Sequence, residues 1–189
     1  ASVAGFPENK VIEAKRYDIL DSFSPDAVVF TERLGRAADG RYYNMRSEDI
    51  SPWTPSLDWF SVLCSRKGIF TVGIGDGGNE VGMGNFTADI CEIRPDFRNC
   101  LSVIGTDVAI PTDVSNWSCY ALSAALSHIW GEWLGPCPGD ERSMLEALIR
   151  AKAVDGISKK SELTVDGFEI EVHETVIREL YAIWNRFRS

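Results

Sequence analysis

A glycine-rich stretch holds the side chains of this chain that are best suited to chemistry. Residues 73–84 contain six of the 16 glycines, and Asp76, Asn79 and Glu80 stand among them. Glycine is costly to order, so such a cluster indicates positive φ values or the close approach of another group. Two carboxylates and an amide on such a loop can move protons, orient a substrate or hold a hard cation. A long polar turn is the alternative, but turns seldom need so many glycines.

The stretch is not one of the common phosphate-binding loops. Residues 73–78 fit the pattern G-x-G-x-x-G, but the carboxylate of Asp76 would face the pyrophosphate, and this pattern alone is weak. The chain has no G-K-[ST] sequence, which excludes a Walker-type loop.

Composition indicates an ordinary globular protein. With 189 residues, 44% hydrophobic and 25% charged, we expect one domain over residues 1–189. The chain does not begin with Met, so we expect that it has been trimmed, processed or excised from something longer. A net charge of −9 argues against nucleic acid and anionic membranes as partners. The five cysteines are scattered, which is typical of reduced thiols in an intracellular protein.

The apolar pattern predicts helix, strand and loop twice in succession. Apolar runs at 27–30 and 69–72 indicate buried strands, the first of them buried on both faces, and a third lies within 103–110, with Thr106 and Asp107 near its end. This order is typical of an α/β fold, with a mostly parallel sheet and helices on both faces in a Rossmann-like, three-layer arrangement. Open α/β sheets bind ligands at the carboxyl ends of their strands, where the glycine stretch would lie.

The same pattern predicts the helices. They are expected around residues 12–23, 57–67, 85–93, 117–133, 140–154 and 176–187. Asp113 or Ser115 is expected to cap the fourth helix, and Asp140 the fifth. The fourth is apolar nearly all round, which predicts the most central helix and makes His128 a core histidine.

A cationic segment follows the first predicted strand. Residues 33–46 carry Arg33, Arg36, Arg41 and Arg46, although the chain is acidic overall. A guanidinium group suits carboxylates and phosphates, so we expect at least one arginine to bind an anion across a crevice from the glycine stretch. In the alternative, the arginines form a solvated loop or pair with the protein's own acids, such as Glu48 and Asp49.

Three stretches together resemble the D-glutamate cyclase family, specifically its C-terminal, catalytic-type domain. They are residues 35–46, 73–84, and 114–117 with 120–122, and the tail at 164–167 and 171–173 is also similar. Family domains carry additional α/β structure before the point where this chain starts. The resemblance therefore implies a fragment, the C-terminal portion of a longer family domain, with the sheet completed by the missing N-terminal segment or by a partner chain in a homo-oligomer. Ser118 and Cys119 stand where two glycines are expected.

The resemblance implies a carbon–oxygen lyase that converts D-glutamate into 5-oxo-D-proline and water. Set against that reaction, the residues Asp76, Asn79 and Glu80 are the catalytic candidates, and the glycine N–H groups are candidate oxyanion donors. The substrate-binding candidates are Arg36, Asp39, Arg41, Tyr43, Asn44, Arg46, Gly75, Gly77, Gly78, Ser115 and Asn116.

Two alternatives stay open at this stage. No cofactor is required, but Asp76, Asn79, Glu80 and Asp107 offer oxygen ligands for a divalent cation, Mg²⁺ or Mn²⁺. The chain is otherwise a non-catalytic module that binds an anionic metabolite or nucleotide through the same loops. The resemblance implies the mitochondrial matrix for an animal protein and the cytoplasm for a bacterial one.

Overall fold

The computed structural model describes residues 19–188. Their contacts divide them into two compact units: residues 19–118, which we call the sheet unit, and residues 119–188, which we call the helical unit. The single domain over residues 1–189 stays a prediction. The part of the first predicted helix that contains Ile12 lies outside the described residues.

The sheet unit alternates helices and strands, as the pattern predicts. Its elements are α1 (Ile19–Phe23), β1 (Ala27–Thr31), α2 (Trp59–Lys67), β2 (Phe70–Gly75), α3 (Thr87–Ile93), β3 (Val108–Pro111) and the start of α4 (Ser115–Trp130). Short 3₁₀ turns occupy Ser51–Trp53, Met83–Phe86 and Pro95–Phe97. The helical unit holds the rest of α4, α5 (Pro138–Arg150), the hairpin strands β4 (Thr164–Val165) and β5 (Phe168–Glu169), and α6 (Ile170–Phe187).

The three long strands form one parallel sheet in the order β1-β2-β3, which confirms the α/β fold. Val72 of β2 stands opposite both Val29 of β1 and Val108 of β3, so β2 is the central strand. Its residues are buried from Thr71 to Gly75. The strand therefore runs three residues further than predicted, into the glycine stretch.

Two strand predictions need correction. β1 is not buried on both faces, because only Phe30 is buried and Val29 is 45% exposed. Phe30 packs into a cluster with Leu20, Phe60, Cys64 and Val81, and this cluster covers one face of the strand. β3 begins only at Val108, so Thr106 and Asp107 precede the strand instead of ending it.

The loop after β2 folds back onto its own strand. Gly82 has a φ of +100°, which glycine adopts without strain. A side-chain carbon added at Gly73 would lie 2.6 Å from the Cα of Gly82, so the two backbones are in direct contact. The dense glycines thus serve both expected purposes, positive φ and close approach.

The fourth helix is less central than the pattern predicts. Its last turn is open to solvent, with Ile129 74% and Trp130 63% exposed. His128 in the same turn is also exposed, so the core-histidine prediction is wrong. The buried histidine is His173 in α6. None of the helices among residues 19–188 is long and apolar enough to cross a membrane.

Polar contacts tie α5 to α6 within the helical unit. Arg142 of α5 donates to Glu171 at 2.9 Å and to Glu174 at 2.8 Å, both on α6. The cap of α5 is Cys137 and not Asp140. The Asp140 carboxylate instead accepts a bond from the Cys137 N–H at 2.8 Å, as the third residue of a capping box does.

Replacement of Gly73 by alanine tests the backbone contact. We expect Gly73→Ala to lower the free energy of unfolding by about 1–3 kcal/mol or more, because the nearest neighbours of the new carbon are backbone atoms that cannot move aside. Gly139→Ala is the matched control: the added carbon meets nothing within 4 Å, and alanine favours α5 by about 0.5 kcal/mol. Urea unfolding of both variants checks this, and equal midpoints would contradict it.

Candidate functional site

Three carboxylates converge at the carboxyl end of the sheet. Oxygen atoms of Glu32, Asp76 and Glu80 all lie within 4.8 Å of one another. Glu32 directly follows β1 and Asp76 directly follows β2. The parallel register places Thr31 opposite Ile74, so the two strands end side by side and deliver both acids to one edge. We call this set the carboxylate cluster.

Glu32 is the member that the sequence analysis did not select. It has a positive φ of 50°, and its N–H donates to the carbonyl of Ile74 at 3.1 Å, so the chain turns sharply at the end of β1. A signal was available, since Glu32 stands two residues after the strand predicted at 27–30, and the glycine stretch also follows a predicted strand. The sequence analysis selected the neighbouring arginines as the functional residues after this strand instead.

Ser115 joins two of the three acids. Its hydroxyl donates to a carboxylate oxygen of Glu32, and its N–H donates to Asp76 Oδ2 at 3.3 Å. The Thr112 N–H donates to the carbonyl of Gly75 at 3.2 Å, which brings the chain after β3 to the same edge. Ser115, which is predicted to bind substrate, therefore lies at the cluster and directly contacts its acids. Asn116, the next residue of α4, is partly buried.

Glu80 is held by the glycine loop. Its side chain is almost fully buried, with Oε1 accepting from the Gly77 N–H at 3.1 Å and Oε2 from the Gly78 N–H at 2.8 Å. A carbon added at Gly75 would lie 2.7 Å from Glu80 Oε2. The N–H groups predicted to stabilise a substrate oxyanion thus hold the protein's own carboxylate.

The environment of Glu80 raises the pKa of its carboxyl group to about 7. Burial is the largest cause, because it disfavours the charged form, and the negative charge of Glu32 is the next. Asp76 adds to the increase, while N–H donors to the carboxylate oppose it. A carboxyl group with this pKa can both accept and donate a proton near neutral pH.

Asn79 connects the glycine loop to the arginine segment. Its side-chain Nδ2 donates to the backbone carbonyl of Tyr43 at 2.7 Å, and its backbone carbonyl accepts from the Gly35 N–H at 2.9 Å. The Val81 N–H donates to the carbonyl of Arg33 at 2.7 Å. The two segments therefore pair through their backbones and do not face each other across an open crevice.

The protein's own acids engage two of the predicted arginines. Arg36 donates to the fully buried Asp58 at 2.6 Å and stacks over the ring of Trp59. Arg41 lies 3.8 Å from both Asp39 and Asp49 and is 61% exposed. Both contacts match the alternative in which arginines pair with internal acids.

The other predicted substrate ligands of this segment also make internal contacts. The Tyr43 hydroxyl donates to Asp39 at 2.6 Å, and Asn44 Nδ2 donates to Glu48 at 2.6 Å. Asn44 Oδ1 accepts from the backbone N–H of Arg46, whose side chain is exposed. These bonds hold Asp39, Tyr43 and Asn44 to neighbours within residues 39–48.

Asp107 does not lie in the carboxylate cluster. It accepts from the N–H and hydroxyl of Thr71 at 2.8 and 2.7 Å, and these bonds hold its pKa below the usual range. Thr71 is near the start of β2 and Asp76 follows its end, so Asp107 sits toward the opposite edge of the sheet. The predicted cation set is thus corrected: Glu32 takes the place of Asp107.

The sequence profile described as "D-glutamate cyclase-like, C-terminal" matches residues 3–181 of this chain. The chain belongs to the D-glutamate cyclase-like family. A human protein named "D-glutamate cyclase, mitochondrial" is 34% identical over 184 residues, an alignment that covers 82% of this chain. The same alignment covers 29% of the human protein, so the chain spans less than a third of that D-glutamate cyclase. The carboxylate cluster thus lies within the part that the family shares.

Ionisation of Glu80 should make stability depend on pH. Its pKa is about 7 in the folded state against an ordinary 4.5, so the folded protein binds more protons between these values. The stability that Glu80 contributes is therefore fully present below pH 4.5 and is lost as the pH rises through 7, a loss of about 3 kcal/mol. Glu80→Gln removes the titrating group, so the difference in unfolding free energy between wild type and variant should change over this range. A difference that stays constant in urea titrations from pH 4 to 8 would contradict the raised pKa.

Proposed function

We propose that this chain carries the reaction centre of a D-glutamate cyclase, which converts D-glutamate into 5-oxo-D-proline and water. The family supports the class of reaction, and the carboxylate cluster is the observation that carries the proposal. Three acids at the carboxyl end of a parallel sheet occupy the place where α/β proteins bind ligands. Three acids so close together also cost stability, which is typical of functional sites.

The reaction needs a group that moves protons in both directions. D-glutamate enters with an ammonium group and a γ-carboxylate. Ring closure forms a bond between nitrogen and the γ-carboxyl carbon and breaks one carbon–oxygen bond. The nitrogen loses two protons and the departing oxygen gains both, so water leaves and no external acid is consumed.

Glu80 fits this role in the proposal. Its Oε1 accepts a proton from the ammonium group, which frees the lone pair for attack, and then returns a proton to the departing oxygen. The Gly77 and Gly78 N–H bonds fix the carboxyl group during both transfers. A well-placed acid or base of this kind contributes about 10²–10⁴-fold to a rate. Glu32 and Asp76 supply the negative field that keeps Glu80 basic enough to accept the proton.

The same cluster also fits a divalent cation. Three carboxylates within 4.8 Å are hard oxygen ligands, and a cation would relieve their mutual repulsion. Glu32, Asp76 and Glu80 would hold Mg²⁺ or Mn²⁺, which would polarise the γ-carboxylate as a Lewis acid. Ser115 would then orient the Glu32 and Asp76 ligands through its hydroxyl and N–H.

The compartment is part of the proposal. The human relative is named a mitochondrial protein. We propose an intracellular location for this chain, in mitochondria if its source is an animal and in the cytoplasm if it is a bacterium.

A proton NMR time course with D-glutamate tests the reaction. Wild-type chain should produce 5-oxoproline signals, and Glu80→Gln should lower kcat by about 10²–10⁴-fold, because the proton carrier is gone. Glu179→Gln, which replaces an exposed carboxylate of α6, is the matched control and should keep the wild-type rate. Full activity in Glu80→Gln would remove the acid–base role.

Parallel samples with EDTA and with added Mg²⁺ or Mn²⁺ decide how the cluster is used. Loss of product in EDTA with recovery on metal addition would establish the cation, and Glu32→Gln should then weaken Mn²⁺ binding in an EPR titration. Unchanged rates in EDTA would favour proton transfer alone. Broadened glutamate signals without product would instead identify a binding module.

A further inference from the structure

The space beside Gly77 is lined by hydrogen-bond acceptors. A carbon added at Gly77 would lie 2.5 Å from Asn79 Oδ1 and 2.8 Å from Glu80 Oε1, and it would collide with Met45 Sδ. Three atoms from three side chains thus converge where a Gly77 side chain would stand. Each can accept a hydrogen bond, the sulfur only weakly. We call this space the Gly77 niche.

Asn79 provides an acceptor that has no partner. Its side chain is 3% exposed, and within residues 19–188 no group donates to Oδ1. The orientation of the amide is fixed, since Nδ2 donates to the Tyr43 carbonyl, which can only accept. A buried acceptor without a partner is destabilising, and such atoms call for an explanation.

Met45 is suited to cover the niche and to leave it. The side chain comes from the arginine segment, is 47% exposed, and places its sulfur against Gly77. Methionine has three rotatable bonds and a polarisable sulfur, so it adapts to a ligand at little cost. When it turns aside, Asn79 Oδ1 and Glu80 Oε1 become accessible from the position that the sulfur had occupied.

We propose that the Gly77 niche binds the α-ammonium group of an amino-acid substrate, with Asn79 Oδ1 and Glu80 Oε1 as its acceptors and Met45 as its adaptable wall. An ammonium group has three N–H donors and no acceptor, which complements a niche lined by acceptors. A hard divalent cation suits it less well, because a thioether is a soft ligand. The identity of the ligand rests on the proposed function.

The niche also explains the order of events at Glu80. The ammonium nitrogen would lie against Oε1, the atom to which the Gly77 N–H donates. The first proton transfer is then direct, from the bound ammonium to Oε1. Asn79 is a catalytic residue in this scheme because it touches the reacting amine, and Met45 covers the niche until the ligand enters.

Paired ligands test the niche through binding affinities instead of product formation. Glutarate has the two carboxylates of D-glutamate but no amine. The wild-type chain should bind D-glutamate at least about tenfold more tightly than glutarate, since the amine makes charge-assisted hydrogen bonds. Calorimetry or a competition NMR titration measures both dissociation constants. Equal affinities, or no binding of D-glutamate, would overturn the inference.

Two variants fill or empty the niche. Met45→Ala removes the wall and should keep the preference for D-glutamate within about threefold, because both oxygen acceptors remain. The double variant Met45→Ala/Gly77→Ala replaces the sulfur by the added carbon of residue 77, which occupies the place of the ammonium group. Its preference should fall to about twofold or less, because the affinity for D-glutamate falls more than the affinity for glutarate. A double variant that keeps the full preference would overturn the inference.

A further measurement on the wild-type chain avoids any variant that fails to fold. The side-chain amide signal of Asn79 in ¹⁵N-labelled protein should shift with D-glutamate and stay in place with glutarate. Equal shifts with both ligands would overturn the niche. These outcomes are separate from the reaction. If the double variant loses the preference and the wild-type chain forms no 5-oxoproline, the cyclase proposal is wrong and the niche stands. If the double variant forms 5-oxoproline at the wild-type rate, the niche is wrong and the cyclase proposal stands.

Discussion

The return of the glycine loop onto its own strand is the constraint on which the carboxylate cluster depends. Gly82 packs its Cα against Gly73 of β2, so the intervening loop is forced over the end of the strand. This path brings Glu80 back beside Gly75 and presents its carboxylate to the N–H groups of Gly77 and Gly78. Side chains at these glycines would occupy the space that the return path needs. The glycines thus position a buried acid.

The three acids are assembled by different parts of the sheet unit. Glu32 follows β1, Asp76 follows β2, and Ser115, at the start of the helix that follows β3, donates to both. Each acid therefore has a donor that fixes it, although the negative charges repel one another. The burial of Glu80 and, after it, this repulsion hold the pKa of Glu80 near neutrality. A ligand that is positively charged or donates protons would reduce the repulsion among these three carboxylates.

Sequence patterns succeeded where local physics decides the outcome. The alternation of helices and strands, the parallel sheet and the helix end at Gly68 with its φ of 69° all follow from apolar spacing and glycine chemistry. Burial was predicted less well. His128 lies on an apolar helix and is exposed, and β1 is covered on one face only. Apolar composition alone does not show which faces another element will cover.

The sequence by itself determined the α/β class, the place of the glycine loop after a strand and the presence of Asp76, Asn79 and Glu80 on that loop. These follow from residue type and from short-range spacing along the chain. The tertiary structure alone decided that Glu32 joins them, that Asp107 belongs to the other end of β2, and that Arg36 and Arg41 pair with internal acids. Each of these outcomes depends on strand register or on contacts between residues distant in sequence, which no local pattern encodes.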